Sequence, residues 1–414
     1  MVGGLTTFLA MSYLVFVVPS MLADAGMNRE AVTAATILAT VASSMLMGLW
    51  ANIPIALGPG LGISAYFAYY VCGPAGFTWQ AGLAAVFISG VVFFLLTVTR
   101  IRELIINSIP HDLKIATSAG IGCFIALIGM KNCGLIVNDA ASGLMLGDVS
   151  QPTVIIAAAG FFVTCILMVR RVPASIILGI LFTAALSFAA GTAKLPEGSW
   201  VAARLPDISG TFLQLDFASA LSHGLVTIVF TLTVVDLFDN IGSLIGLSRK
   251  AGAVNPDGSI RNMGRAFITD SFGTMFSGLV GTTTSVQYLE SATGIAAGAR
   301  TGLSTLVVAF LFLLTFLFLP LVSAVPAAAT APALIIVGVL LMQDVVDIRF
   351  KDLTIAIPAF LMIIGMPVSF NIATGFGFGF IAYVVLMAAQ GRWRELSPTA
   401  VLIAAAFVVN FALR

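Results

Sequence analysis

Four carboxylates stand inside long apolar stretches of this sequence: Asp236, Asp239, Asp270 and Glu290. A carboxylate in hydrocarbon costs on the order of 3 kcal/mol or more, so each should face a partner or a wet cavity. Asp236 and Asp239 are three apart in TVVDLFDNIGSL, which sets both on one face of a helix. Two close carboxylates in low dielectric cannot both ionise cheaply, so one should hold a proton near neutral pH. A proton-coupled carrier needs that property. Both are therefore candidate coupling residues, and Asp236 is a candidate substrate contact as well. The plainer alternative is packing or capping, with Asp239 close to Gly242. Glu290 follows a polar run, near the start of a half-helix whose dipole favours negative charge. Its plainer alternative is a cap for free N–H groups. Asp270 lies within a turn of Arg265 and reads as an interfacial ion pair or cap rather than a site residue.

A second element could face these acids. GPGLGISAYF (58–67) offers free backbone groups, the candidate contact Ser64, and the aromatics Tyr66 and Phe67. Its counterpart is the polar stretch Thr282–Ser285, where Ser285 is the candidate contact. A planar, polar heterocycle suits such a place. Its N–H groups would pair with a carboxylate, its acceptors with backbone N–H, and its faces with an aromatic ring.

The elements that position these residues are membrane spans. The chain has 414 residues, 59% hydrophobic and only 9% charged. A soluble domain is roughly 25% charged, so a water-exposed surface cannot be dressed from this composition. Apolar segments fall at 3–23, 31–50, 53–71, 79–99, 112–130, 152–169, 173–190, 217–247, 266–280, 283–298, 301–319, 324–342, 353–370 and 372–389. A further stretch at 398–413 either spans or lies along the interface. Gly3–Ala23 is apolar from the start and reads as the first span, not a cleaved leader.

With the N-terminus inside, fourteen of the 19 Lys and Arg, from Arg100 to Arg394, fall in inside loops. Arg29, Lys131, Lys194 and Arg204 fall outside, and Arg414 is unassigned. That asymmetry is the mark of a multi-pass protein of the cytoplasmic membrane. No polar stretch is long enough for a soluble domain.

The third segment is interrupted by Gly58-Pro59-Gly60, and the tenth opens on a β-favouring polar run. The stretches 107–130 and 323–342 also echo one another. Interrupted segments at matching places in two halves of seven point to inverted repeats, with a transporter site between them. The net charge of +1 gives no case for nucleic acid. The four cysteines form no C-x-x-C pair and there are only two histidines, so no metal or other cofactor is expected beyond a coupling proton. A channel would predict a ring of like residues instead of broken helices. No hydrolase or metalloprotease motif supports an enzyme.

In these same residues the chain resembles the AzgA-like purine permeases of the nucleobase–cation symporter (nucleobase–ascorbate transporter) superfamily. The likeness is densest in GLTTFLAMSYLVFVVP (4–19), NIPIALGPGLGISAYFAY (52–69), IGCFIALIGMKNCG (121–134), DLFDNIGSLIG (236–246) and ESATGIAAGARTGL (290–303). The resemblance implies an all-α seven-plus-seven inverted repeat with short strands in the third and tenth segments. It implies a core domain (1–111 and 216–322) and a gate domain (112–215 and 323–414). It further implies proton symport of hypoxanthine, guanine or adenine, with the family's carboxylates falling on Asp236, Asp239 and Glu290, and it is compatible with a homodimer. The sequence departs from the family at Ser64, where Asn is usual, at Asn240 for Thr, at Ala299 for Gly, and between Thr282 and Gln287. Carriers of uracil, xanthine or an inorganic anion are the alternatives; the carboxylates would repel an anion.

Overall fold

The computed structural model describes residues 1–99, 110–139, 143–194, 200–201, 207–220, 223–255 and 260–412. It is mostly helical. The first half holds α1 (Val2–Met11), α2 (Leu14–Asp24), α3 (Arg29–Leu46), α4 (Leu61–Tyr66), α5 (Trp79–Val98), α6 (His111–Asn132), α7 (Pro152–Val169) and α8 (Ser175–Ala189). The second holds α9 (Phe217–Ala220), α10 (His223–Lys250), α11 (Met263–Val280), α12 (Ser291–Ala296), α13 (Leu303–Leu314), α14 (Leu319–Ala324), α15 (Ala327–Leu341), α16 (Leu353–Ser369), α17 (Ile372–Ala389) and α18 (Pro398–Ala412). Among the described residues there are also four short strands: β1 (Leu57–Pro59), β2 (Ile136–Asp139), β3 (Gly143–Leu146) and β4 (Ser285–Gln287). The β2–β3 hairpin was not anticipated, because its strands are too short to show a period of two.

Among the described residues, eight helical runs are long and apolar enough to cross a membrane. The fifteen-residue α18 is shorter. At 1.5 Å per residue it reaches about 22 Å, less than a hydrocarbon core of ~30 Å. The outer surface is apolar, with Phe162 63% and Leu402 70% exposed. Such side chains belong against lipid, not water.

Side chains close several helix starts. Asn28 accepts from Ala31 N at 3.0 Å, Thr78 from Ala81 N at 3.3 Å and Asn371 from Ala373 N at 2.9 Å. Each satisfies a donor that has no intrahelical acceptor.

The helices sort into two groups by packing. One gathers α1, α2, α3, α5, α11, α12 and α13 around β1 and β4. The other joins α6, α15, α16 and α17, with α7 and α8 against α15. In the second group Gly122 of α6 faces Gly338 of α15. A Cβ at Gly122 would lie 2.6 Å from the Gly338 carbonyl oxygen, and a Cβ at Gly338 2.5 Å from that of Gly122. Small residues let membrane helices approach this closely, so packing can replace the hydrophobic drive that lipid removes. Gly338→Leu should force the helices apart at a cost of about 1–3 kcal/mol or more. The expected outcome is a lower thermal midpoint and less monodisperse protein on size exclusion; an unchanged midpoint would contradict the contact.

Candidate functional site

The site is built where two segments stop being helical. The left-handed Gly281, at φ +101°, ends α11 and turns the chain into Thr282–Ser285. On the other side, Gly58-Pro59-Gly60 keeps residues 57–59 extended before α4 begins. A broken segment frees backbone groups that lipid cannot satisfy, so it must be buried in protein. Here the breaks satisfy one another. β1 and β4 pair antiparallel, with Leu57 opposite Gln287, Gly58 opposite Val286 and Pro59 opposite Ser285.

The ladder is extended at both ends. Gly60 N donates to Thr284 O at 2.9 Å, and Tyr288 N to Ala56 O at 3.0 Å. Side chains finish it. Ser44 Oγ takes Leu57 N at 3.0 Å, Ser291 Oγ takes Ala56 N at 3.0 Å, and the Tyr288 hydroxyl donates to Pro59 O at 2.6 Å.

Behind β4 lies a buried acid cluster. Asn240 Nδ2 donates to Asp236 Oδ1 at 2.5 Å and to Asp270 Oδ2 at 3.0 Å. The same side chain's Oδ1 accepts from Gln287 N at 3.1 Å. One neutral amide thus clamps two carboxylates of α10 and α11 and holds the strand. Asp270 is fully buried. The expectation that it pairs or caps at the interface near Arg265 is corrected: as the eighth residue of α11 it is buried inside the protein, while Arg265 is exposed. The side chain of Asp239 lies outside the described residues.

In front of β4 is a cavity of about 370 Å³, lined by Tyr13, Gly62, Gln287 and Glu290 from one helix group and by Ile121 and Leu341 from the other. Small-molecule sites run from roughly 300 to 1,000 Å³. Lys250, Gln343 and Asp344 also line the cavity. Glu290 stands at the N-cap of α12, but its side chain caps nothing. It accepts instead from the hydroxyl of Tyr13, which sits in the break between α1 and α2. The capping alternative for Glu290 therefore fails, and the carboxylate is held from a different helix.

The other candidates are placed elsewhere. Asp236, Ser64 and Ser285 are fully buried and do not line the cavity. The Ser64 hydroxyl lies 2.7 Å from Gly60 O, to which it donates, and 2.6 Å from Thr283 Oγ1. Ser285 packs toward Gly273 of α11, and its carbonyl accepts from Thr274 Oγ1 at 3.4 Å. Sequence reasoning missed Tyr13 and Gln287 as lining residues and Asn240 as the clamp. A tyrosine at a helix break and a glutamine beside a carboxylate were the available signals. A second cavity, about 400 Å³ and lined by Arg261 and Arg300 among loop residues, contains none of these groups.

Two interrupted segments thus pair as short strands beside a cavity lined by an acid, an arrangement suited to holding a small polar solute inside a membrane protein. The family model Xan_ur_permease, described as a permease family, matches residues 1–378, and the chain belongs to that family. A putative permease of Methanocaldococcus jannaschii, MJ0326, is 45% identical over 409 residues, covering 99% of this chain and 93% of its own. The adenine permease AdeQ of Escherichia coli is 40% identical and covers 100% and 92%. The guanine/hypoxanthine permease PbuO of Bacillus subtilis is 38% identical and covers 99% and 96%. The resemblance to the AzgA-like permeases thus holds along the whole chain, and the protein is a multi-pass membrane permease, not an enzyme. In fold it is similar to the transmembrane domain of a cyanobacterial bicarbonate transporter, BicA, with a TM-score of 0.66 at 15% identity, covering 92% of this chain and 96% of that one.

Proposed function

We propose that the protein is a secondary active carrier that moves a purine nucleobase (hypoxanthine, guanine or adenine) with a proton across the cytoplasmic membrane. One observation carries this reading: Glu290, an acid held by Tyr13, stands in a small-molecule cavity beside paired broken segments. A carboxylate there favours an N–H-bearing heterocycle over an anion. Relatives named as adenine and guanine/hypoxanthine permeases over nearly the whole chain support purines as the substrate class.

The architecture proposed is the seven-plus-seven inverted repeat, with core 1–111 and 216–322, gate 112–215 and 323–414, and the N-terminus inside. The packing groups support that division. On the same reading the conformation faces inward. At the outer end, Asn132 Nδ2 donates to the Tyr69 hydroxyl at 3.2 Å, and Arg29 donates to Val325 O, each bond joining the two groups. At the inner end the cavity reaches Lys250 and Asp344. Glu290 binds the base, while Asp236, with Asp239, couples the proton from behind the strand.

Cells lacking their own base permeases should accumulate labelled hypoxanthine, guanine or adenine when they express the protein. A protonophore should abolish the accumulation. Uptake that ignores the protonophore would remove proton coupling. Competition by uracil but by no purine would replace the substrate class.

A further inference from the structure

The second cavity, about 400 Å³, shares no lining residue with the one that holds Glu290. It forms where three connections meet: α3 to β1 at Asn52, α10 to α11 at Arg261 and Asn262, and α12 to α13 at Arg300 and Thr301. The connections are stapled together. Asn262 Nδ2 donates to Ala51 O at 3.0 Å, and Gly302 N donates to Asn52 Oδ1 at 2.8 Å. Arg300 spends its Nη1 on the carbonyl oxygens of Ile295 and Ala299, at 2.5 and 2.7 Å. Among the described residues, no acceptor meets its Nε or Nη2 or the guanidinium of Arg261, and none that lines the cavity is acidic. Asn262 also precedes α11, and with its side chain drawn to Ala51 it leaves the first N–H groups of that helix without a side-chain cap.

We propose that this cavity binds a phosphate-bearing anion, either the headgroup of an anionic phospholipid or a soluble phosphate. Two like charges that line one space repel each other, and an anion between them replaces that repulsion by two attractions. A guanidinium presents paired N–H donors in one plane, which matches two oxygens of a phosphate group. The volume is that of a small-molecule site. With the N-terminus inside, all three connections lie at the cytoplasmic end, where the leaflet itself is anionic. An anion held there would tie together the segments that lead to β1, α11 and α13, so its binding should stabilise the fold. Neither this site nor its test depends on which solute the carrier moves.

The test is the thermal midpoint of the purified protein in neutral detergent at constant ionic strength. In one arm sodium phosphate replaces sodium chloride; in the other, phosphatidylglycerol replaces phosphatidylcholine in mixed micelles. A rise of about 2 °C or more is expected in at least one arm. A rise with phosphate identifies a soluble ligand, and a rise with phosphatidylglycerol alone identifies a headgroup. Arg261→Gln should remove about half of the rise or more, and Arg261→Gln with Arg300→Gln should remove all of it. Arg265→Gln, at an exposed arginine of α11 outside the cavity lining, should leave the rise intact. Arg300 also holds two carbonyl groups, so Arg261→Gln alone decides the matter if the double variant does not fold. No rise in either arm overturns the site. So does a rise that survives Arg261→Gln in full, or one that Arg265→Gln removes equally.

Discussion

Glu290→Gln should reduce tracer uptake of the preferred base by about 100-fold or more while the protein still reaches the membrane. The substitution keeps the length of the side chain and leaves a carbonyl oxygen for the Tyr13 hydroxyl to reach. Folding is therefore expected to survive. Two things are lost. The charge-assisted hydrogen bond to the base becomes a neutral one, roughly half as strong. One acceptor oxygen also becomes an NH₂ group that meets the ligand's N–H head on, and that buried mismatch costs more than the missing bond. The measurement is initial uptake rate normalised to membrane protein by immunoblot, with size exclusion confirming a monodisperse variant. Uptake within threefold of wild type would remove Glu290 from the binding site. It would also take away the observation on which the proposed function stands.

The way Glu290 is held explains what could and could not be read beforehand. A carboxylate in an apolar run announces itself, because its energetic cost demands a reason. So did Asp236, and so did the two interruptions, since Gly58-Pro59-Gly60 and Thr282–Ser285 are poor helix formers in any context. Short strands there were what the family resemblance implies, and the structure adds that they pair with each other. What stayed hidden was direction. In a helix that is apolar all round, no polar face shows which way a residue points. Ser64 is a candidate contact on the groups it offers and on the family's asparagine at that place, whereas its hydroxyl is spent on Gly60 and Thr283. Asp270 was paired with its sequence neighbour Arg265, but the helix carries one inward and leaves the other exposed. Tyr13 is invisible for the opposite reason. A tyrosine among aliphatic residues looks like packing until a carboxylate 277 residues away reaches its hydroxyl.

The second large effect is expected at Asn240, which lacks charge and was noticed only as a departure from the family's threonine. Its amide uses every group it has: donors to Asp236 and Asp270, and an acceptor for the backbone of Gln287. Asn240→Leu is close in volume and removes all three bonds inside a site with no exposure. A hydrogen bond to a charged group contributes about 1.5–3 kcal/mol, so losing two costs on the order of 3–6 kcal/mol before relaxation. That is a large share of a typical folding free energy of about 5–15 kcal/mol. The thermal midpoint and the yield of inserted protein should both collapse. If the cost comes from stranding two acids, it must shrink when the acids are made neutral. Asn240→Leu introduced into an Asp236→Asn, Asp270→Asn background should therefore destabilise much less than in wild type, a coupling that a double-mutant cycle measures directly. Equal costs in both backgrounds would mean that the amide merely fills space. A large coupling would mean that one neutral side chain ties the charge state of two buried acids to the position of β4, the strand that lines the ligand cavity. A proton arriving behind the strand could then be felt in front of it.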